Sequence, residues 1–225
     1  VMWYNDWPIC GHVGDPLLAG APVSEADYPL DVKTNYKIDL NDNFKDNKLS
    51  LLWQTQANPK KYWFSFNKGL VLNCIKTDAC DLHLVPQILT QKVPALEFDT
   101  KTLIELDNLK ENDAVGFTMM GTNYTYIEIK RIDNKLELSL YEGSFNTHDI
   151  CVFKEEYQDN KIILGLKARN EAIYDLRYQY TINGKEIEKS YLASAGRWIG
   201  ATYGLYARGN GGSALVKYFN TTKLK

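Results

Sequence analysis

The stretch AVGFTMMGTNYTYIEIKRIDNKLELSL, residues 114–140, decides the fold of this chain. Apolar and polar residues alternate along it, with a break at Asp133-Asn134. Successive side chains of a β-strand point to opposite faces, so this alternation predicts half-buried strands. Asp and Asn favour tight turns. The stretch therefore predicts antiparallel strands, the last two of which form a hairpin.

The same pattern recurs along the chain from Tyr36 onward. Further alternating segments are residues 98–106, 162–168, 174–182, 199–207 and 214–219. Asn183-Gly184 favours a tight hairpin, and we interpret the glycine cluster at 209–212 as a hairpin loop between the last two strands. Since no stretch shows a long helical period, we predict an all-β jelly-roll sandwich of two antiparallel sheets.

The overall charge and apolarity exclude two classes of partner. The 26 Lys and Arg residues are outnumbered by 28 Asp and Glu residues, for a net charge of -2. Without a basic excess to attract phosphates, nucleic acid is not expected as a partner. No apolar run is long enough to cross a membrane as a helix. The 15 Tyr and 5 Trp residues suit strands and can also stack on sugar rings.

Residues 1–33 differ from the remainder of the chain. Trp3–Ile9 is a short aromatic segment that resembles a hairpin, and a region of Gly and Pro without sustained periodicity follows it. We interpret 1–33 as the tail of a preceding unit plus a linker, and 34–225 as the sandwich domain. The abrupt apolar start at Val1 leads us to expect a piece of a longer protein.

Few residues form a pattern typical of catalysis or metal binding. Glu97-Phe98-Asp99 begins the E-x-D-x-x-E strand of some catalytic sandwiches, but Thr102 occupies the third position. We therefore interpret the two acids as part of a solvated face. The histidines His12, His83 and His148 lack metal-ligand spacing. We predict no catalytic residue and no metal site.

The four cysteines leave two alternatives open. Cys10, Cys74, Cys80 and Cys151 include no CxxC pair, which argues against a zinc site and against thioredoxin-type redox chemistry. Cys74 and Cys80 could form a disulfide across a hairpin in an oxidising compartment. Four buried free thiols are equally consistent with the sequence.

Four segments carry a resemblance to a known family. They are NDNF (41–44) with LSLLWQTQANP (49–59), WFS (63–65) with GLVL (69–72), AVGFTMMGTNYTY (114–126), and GRWIGA (196–201) with GLYA (204–207). In order and spacing they resemble the C-terminal domain of glycoside hydrolase family 43 enzymes, of the β-xylosidase and α-L-arabinofuranosidase type. WPI (7–9) and GAPV (20–23) resemble the end of that family's catalytic five-bladed propeller.

The resemblance implies a concanavalin-A-like sandwich that packs on the propeller, which carries the family's catalytic carboxylates. We therefore expect a non-catalytic accessory domain that is inactive alone and shapes the rim of the propeller's active site. Its expected partners are the propeller of the same polypeptide and a xylan- or arabinoxylan-type saccharide. The substrate class of the family implies a secreted or periplasmic location.

The resemblance also implies the candidate substrate-binding residues. Trp198 corresponds to an aromatic that some members lend to the active-site rim, where it could stack on a sugar, and the neighbouring Arg197 could bind hydroxyl groups. The alternative is that Trp198 anchors the core of the terminal hairpin. Related sandwiches sometimes hold calcium between an early acidic turn and the last strand. Asp42 is present, but Lys217 occupies the late position and argues against calcium, so no cofactor is predicted.

Two other functions remain open. An independent carbohydrate-binding module would need exposed aromatics on one sheet face, and Tyr174, Tyr178 and Tyr180 could form such a platform, unless they lie in the core. A catalytic sandwich, such as a glucanase or lyase, is the third alternative, and Thr102 in place of a third acid counts against it.

Overall fold

The computed structural model describes residues 2–4, 7–9, 38–77, 81–145, 147–172, 175–196 and 198–224. The chain forms two compact units, Val1–Ile38 and Asp39–Lys225. In the first unit, strands β1 (Met2–Tyr4) and β2 (Trp7–Ile9) pair in antiparallel register, as the aromatic segment predicts. The predicted boundary between residues 33 and 34 lies outside the described residues.

The second unit is a sandwich of two seven-stranded antiparallel sheets, which confirms the predicted fold class. Its strands are β3 (Gln54–Thr55), β4 (Phe64–Phe66), β5 (Leu70–Asn73), β6 (Leu89–Lys92), β7 (Phe98–Glu105), β8 (Ala114–Met120), β9 (Asn123–Ile132), β10 (Lys135–Ser144), β11 (Ile150–Tyr157), β12 (Lys161–Ala172), β13 (Asp175–Ile182), β14 (Lys185–Leu192), β15 (Thr202–Arg208) and β16 (Ser213–Lys223). A 3-10 turn, η1 (Leu82–Leu84), lies between β5 and β6.

The strand orders define two sheets. The first, called sheet A here, has the order β11-β10-β9-β8-β15-β6-β3, and the second, sheet B, has the order β14-β13-β12-β7-β16-β5-β4. Asp133-Asn134 and Asn183-Gly184 close hairpins inside these sheets, and all four residues have positive φ. Such turns match the right-handed twist of the paired strands, so both predicted hairpins are confirmed.

The prediction of a hairpin loop at 209–212 is wrong. β15 belongs to sheet A and β16 to sheet B, so this loop crosses from one sheet to the other. The buried Asp113 fixes the crossing, because its carboxylate accepts hydrogen bonds from the backbone N–H groups of Asn210 and Lys110. A glycine-rich loop has the same local composition whether it pairs two strands or separates them, so the local sequence did not reveal the crossing.

The core lies between the sheets and contains Tyr178 and Tyr180, two of the tyrosines that were candidates for an exposed platform. Tyr178 and Tyr180 are 3% and 0% exposed, and their hydroxyls lie 2.8 Å and 2.9 Å from Thr125 Oγ1. Burial raises the pKa of both phenols. The platform hypothesis is thus wrong for these two residues, and Tyr174 lies outside the described residues. Alternation shows which side chains share a face, but does not show which face is buried.

Sheet A also has a partly covered outer face. A second cluster forms there from Leu82, Val85 and Ile88, which pack on Tyr126 and other outward side chains of β8, β9 and β15. The segment 81–88 therefore crosses the middle of this face. Depressions remain open on either side of it.

The described cysteines are free thiols. Cys74 is buried and Cys151 is exposed. Cys74 therefore forms no bridge, and the expectation of buried thiols fails for Cys151. Cys10 and Cys80 lie outside the described residues. Burial, together with the nearby carboxylate of Asp113, raises the pKa of the Cys74 thiol. No helix among the described residues is long and apolar enough to span a membrane.

Candidate functional site

A cleft of about 850 Å³ opens at one end of the outer face of sheet A. Strands β3, β6, β8 and β15 contribute to it, together with η1 and the loop that follows β14. Its lining residues are Gln54, Thr55, Gln56, His83, Thr90, Met120, Gly121, Thr122, Phe145, Gly196, Trp198, Ile199, Gly200 and Thr202. The amides and hydroxyls among them can bind sugar hydroxyls, and the aromatic rings can stack on a pyranose.

Trp198 lies on the loop between β14 and β15, and its side chain is 88% exposed. The interpretation of this residue as a core anchor of the terminal hairpin is therefore wrong. Ile199 beside it and Phe145 of the same lining are also exposed, so apolar side chains line the cleft together with the hydroxyls of Thr90 and Thr202. Arg197, the other predicted binding residue, lies outside the described residues.

The Trp198 loop is held in place by the turn that follows β8. Backbone N–H and side-chain hydroxyl of Thr122 both donate to the carbonyl oxygen of Ala195 at 2.9 Å. Ser194 Oγ accepts from the N–H of Asn123 at 2.9 Å and donates to its carbonyl oxygen at 2.8 Å. Four hydrogen bonds thus fix the start of the loop and position Trp198 at the rim.

Gly121 makes this contact sterically possible. A Cβ atom at this position would lie 1.9 Å from the carbonyl oxygen of Ser194, closer than any real Cβ contact. Only glycine lets the turn and the loop approach to hydrogen-bonding distance.

His83 forms the wall of the cleft on the side of η1. Its Nδ1 lies 2.8 Å from the buried carboxylate of Asp81, and its Nε2 donates to the carbonyl oxygen of Gly121 at 2.7 Å. Its ring packs edge-on against Tyr124 and Phe145, with centroid distances of 4.9 Å and 5.6 Å. His83 therefore ties η1 to the turn that braces the Trp198 loop, and acts as a positioning residue.

Sequence reasoning missed His83, Phe145 and Gln54 as residues of this cleft. In the sequence, His83 was considered only as a possible metal ligand. The spacing Asp81-x-His83 was an available signal, because an Asp before a turn can accept a hydrogen bond from the backbone N–H two residues later and also fix the orientation of the imidazole ring. Phe145 and Gln54 carry no such local signal, because only the fold brings them to Trp198.

The acidic strand pattern does not assemble an acid pair. Asp99 lies on the outer face of sheet B, where its carboxylate pairs with Arg169 at 2.6 Å. Thr102 points to the other face, is fully buried and donates to the carbonyl oxygen of Tyr218 at 2.8 Å. The position where some catalytic sandwiches carry a third acid is therefore occupied by a buried hydroxyl group.

The residues at the calcium position of related sandwiches do not fit the ion. One carboxylate oxygen of Asp42 accepts from the N–H of Phe44 and the other from Trp53 Nε1, both at 2.9 Å. Lys217 Nζ lies 4.0 Å from a carboxylate oxygen of Glu105. Calcium needs several oxygen ligands. Throughout the described part of the chain, no three His, Cys, Asp or Glu side chains are grouped to hold a metal ion.

The family model of the β-xylosidase C-terminal concanavalin A-like domain matches residues 41–222. No curated protein matches the chain. The segments 41–44 and 196–207 that carried the resemblance fall inside the matched region.

Several solved structures share the fold. One is a GH43 glycoside hydrolase engineered to display endo-xylanase and exo-arabinofuranosidase activity, with a TM-score of 0.73 and 16% identity over 95% of this chain. A bifunctional GH43-CE protein from Bacteroides eggerthii has a TM-score of 0.72 and 18% identity over 100% of it. A xylan β-1,4-xylosidase from Bacillus halodurans C-125 has a TM-score of 0.67 and 12% identity over 89%.

The chain spans less than half the length of each of these proteins, with shares of 46%, 30% and 41%. At these identities the likeness establishes the fold alone.

Proposed function

Since the chain belongs to the family of β-xylosidase C-terminal concanavalin A-like domains, we propose that it is the non-catalytic accessory domain of a family 43 glycoside hydrolase acting on xylan- or arabinoxylan-type polysaccharide. In this proposal it packs on the catalytic propeller of the same polypeptide and shapes the rim of the propeller's active site. The chain alone has no hydrolase activity. A secreted or periplasmic location stays a prediction from the resemblance.

The observation that carries the proposal is the exposure of Trp198 on a braced loop. The Trp198 indole is 88% exposed at the rim of the cleft, where its ring is accessible for stacking on a sugar. Four hydrogen bonds from the Gly121 turn to Ser194 and Ala195 hold the loop, so little conformational freedom is lost when a ligand stacks on the ring. The side-chain amide of Gln54 and the hydroxyls of Thr90 and Thr202 in the same lining suit a hydroxylated ligand.

The decisive experiment compares Trp198→Ala and Trp198→Phe in the full-length hydrolase. We expect kcat/KM on a xylo- or arabino-oligosaccharide to fall about tenfold for the alanine variant, since one stacked aromatic contact is worth roughly 1–1.5 kcal/mol. The phenylalanine variant keeps most of the activity. Because the side chain is exposed, the Tm of both variants stays that of the parent.

Leu96→Ala is the matched control, since Leu96 is another exposed apolar residue and does not line the cleft. It leaves kcat/KM unchanged. If Trp198→Ala also leaves kcat/KM unchanged, Trp198 takes no part in the active-site rim.

A second candidate function is an independent carbohydrate-binding module. The favouring observation is that the described residues that line the cleft, among them Gln54, Thr90 and Trp198, all lie within 39–225. Calorimetric titration of the 225-residue chain with neutral xylo- and arabino-oligosaccharides tests it. Binding that Trp198→Ala abolishes supports the module, whereas no heat at millimolar ligand rules it out.

A further inference from the structure

A second depression, of about 370 Å³, lies at the opposite end of the outer face of sheet A. β15 connects the two regions, because Thr202 lines the Trp198 cleft and Arg208 lines the second depression. At about 3.3 Å per residue, these two residues lie roughly 20 Å apart. The second depression is therefore separate from the cleft, with segment 81–88 packed on the face between them.

A buried ion pair forms the floor of this depression. Glu128 is 2% exposed, and its Oε2 accepts from Arg208 Nε at 3.0 Å and from Nη2 at 2.8 Å. The same oxygen accepts from the hydroxyl of Tyr206 at 2.7 Å. Oε2 of Glu128 thus accepts three hydrogen bonds, two of them from the Arg208 guanidinium. Arg208 Nη2 also lies 3.4 Å from the hydroxyl of Tyr126, and Nη1 makes no hydrogen bond to any described residue. The guanidinium therefore retains donors for a ligand.

The walls of the depression add positive charge. Lys76 and Lys130 both line it, and within the described ranges neither forms an ion pair with a carboxylate. Asn112 and Asn210 contribute side-chain amides. Among the described residues that line the depression, three are cations and one, Glu128, is an anion, and Oε2 of Glu128 is paired with Arg208. This excess favours a negatively charged ligand.

An exposed aromatic lies next to this charge. A neighbouring depression of about 570 Å³ shares Lys76 and Thr77 with the first and is also lined by Tyr62. Tyr62 is 60% exposed, and Lys60 lines the same depression. An aromatic ring beside a basic pocket matches a saccharide in which one ring stacks and another carries a carboxylate.

We propose that these two depressions bind an acidic saccharide, with the carboxylate of a hexuronate residue between Lys76, Lys130 and Arg208, and a neighbouring sugar ring on Tyr62. This inference rests on the proposed function, since it assumes a domain that works on polysaccharide. It places the site that recognises charged side groups roughly 20 Å along β15 from Thr202 of the Trp198 cleft, so a branched chain can contact both.

The test is calorimetric titration of the 225-residue chain with three probes: a xylo-oligosaccharide bearing one glucuronate, the neutral oligosaccharide of the same length, and inorganic phosphate. We expect millimolar or tighter binding of the acidic oligosaccharide, weakened by added salt because exposed charges are screened. In ¹H–¹⁵N spectra, the amide signals of Lys130, Arg208 and Asn210 shift, whereas the Trp198 indole signal does not.

The variants Lys76→Gln and Lys130→Gln remove one charge each and leave the buried pair intact. Each weakens binding of the acidic oligosaccharide up to about fivefold, as for partly exposed ion pairs. The matched control is Lys101→Gln, a lysine that is exposed on β7 of sheet B and leaves affinity unchanged.

Three outcomes overturn the proposal. If the neutral oligosaccharide binds as tightly as the acidic one, the carboxylate is not recognised. If phosphate binds as tightly and shifts the same amide signals, the depression is an unspecific anion site. If the acidic oligosaccharide does not bind, the proposed site does not exist. The proposed function is tested separately, by the effect of Trp198→Ala on kcat/KM of the full-length hydrolase. A failure of this inference can therefore be distinguished from a failure of the proposed function.

Discussion

Substituting Gly121 with alanine tests the bracing of the Trp198 loop most directly. The added Cβ atom would lie 1.9 Å from the carbonyl oxygen of Ser194, whereas ordinary contact begins at 3.4 Å, so the backbone has to withdraw by about 1.5 Å. The hydrogen bonds of Thr122 to Ala195 and of Asn123 to Ser194 are 2.9 Å long. After such a withdrawal they exceed hydrogen-bonding distance.

The magnitude follows from those bonds. With the 2.8 Å bond from Ser194 Oγ to the carbonyl oxygen of Asn123, four hydrogen bonds at about 1 kcal/mol each are lost and partly replaced by water, which gives a loss of about 2–3 kcal/mol in the free energy of unfolding. Urea denaturation measures this loss. The indole N–H resonance of Trp198, assigned by its absence in Trp198→Ala, reports the position of the loop and should shift or broaden in Gly121→Ala.

Gly200→Ala is the control, because a Cβ atom at Gly200 meets nothing within 4 Å. It should change the free energy of unfolding by less than about 0.5 kcal/mol and leave the Trp198 resonance in place. The reasoning is refuted if Gly121→Ala is as stable as Gly200→Ala and the Trp198 resonance is unperturbed.

Three further predictions concern the interior of the sandwich. Burial raises the pKa of Tyr180 and Tyr206 above the ordinary value, so the folded chain keeps these phenols neutral. In the unfolded chain they ionise above about pH 10. Urea denaturation at several pH values should therefore show a free energy of unfolding that these two residues do not change below about pH 10 and that falls above it. Maleimide labelling followed by mass spectrometry should modify Cys151 in the folded chain and Cys74 only after unfolding, because Cys74 is buried and its pKa is raised; equal labelling of both thiols would contradict the packing. Asp42→Ala removes two hydrogen bonds to N–H groups and should lower the free energy of unfolding by about 1–3 kcal/mol, whereas an unchanged urea midpoint would show that the carboxylate is not needed.

The strands and tight hairpins were predictable because their signals are local. Period-two alternation at 114–140 identifies strands wherever they pack. Asn183-Gly184 identifies its turn because few other residue pairs adopt positive φ at both positions. The many short strands predicted the jelly-roll sandwich, and the order of the family motifs added its concanavalin-A-like type.

The remaining features depend on contacts between distant segments. Whether Tyr178 and Tyr180 face solvent or core depends on the opposite sheet, which supplies Thr125 as the partner of their hydroxyls. The exposure of Trp198 likewise depends on the turn at Gly121, 77 positions earlier in the sequence. Of the residues that line the cleft, only Trp198 was predicted from the sequence, because the other lining residues come from five separate segments of the chain.

The crossing of the chain from β15 to β16 has a consequence for the order of assembly. β15 lies between β8 and β6 in sheet A, and β16 lies between β7 and β5 in sheet B. Until both strands have been synthesised, each sheet remains two fragments with open edges, and such edges invite pairing with other chains. We therefore expect both sheets to close only when the last two strands are available, through contacts of long sequence separation that form slowly. The Trp198 loop immediately precedes β15, so the rim takes its final shape only at that closing step.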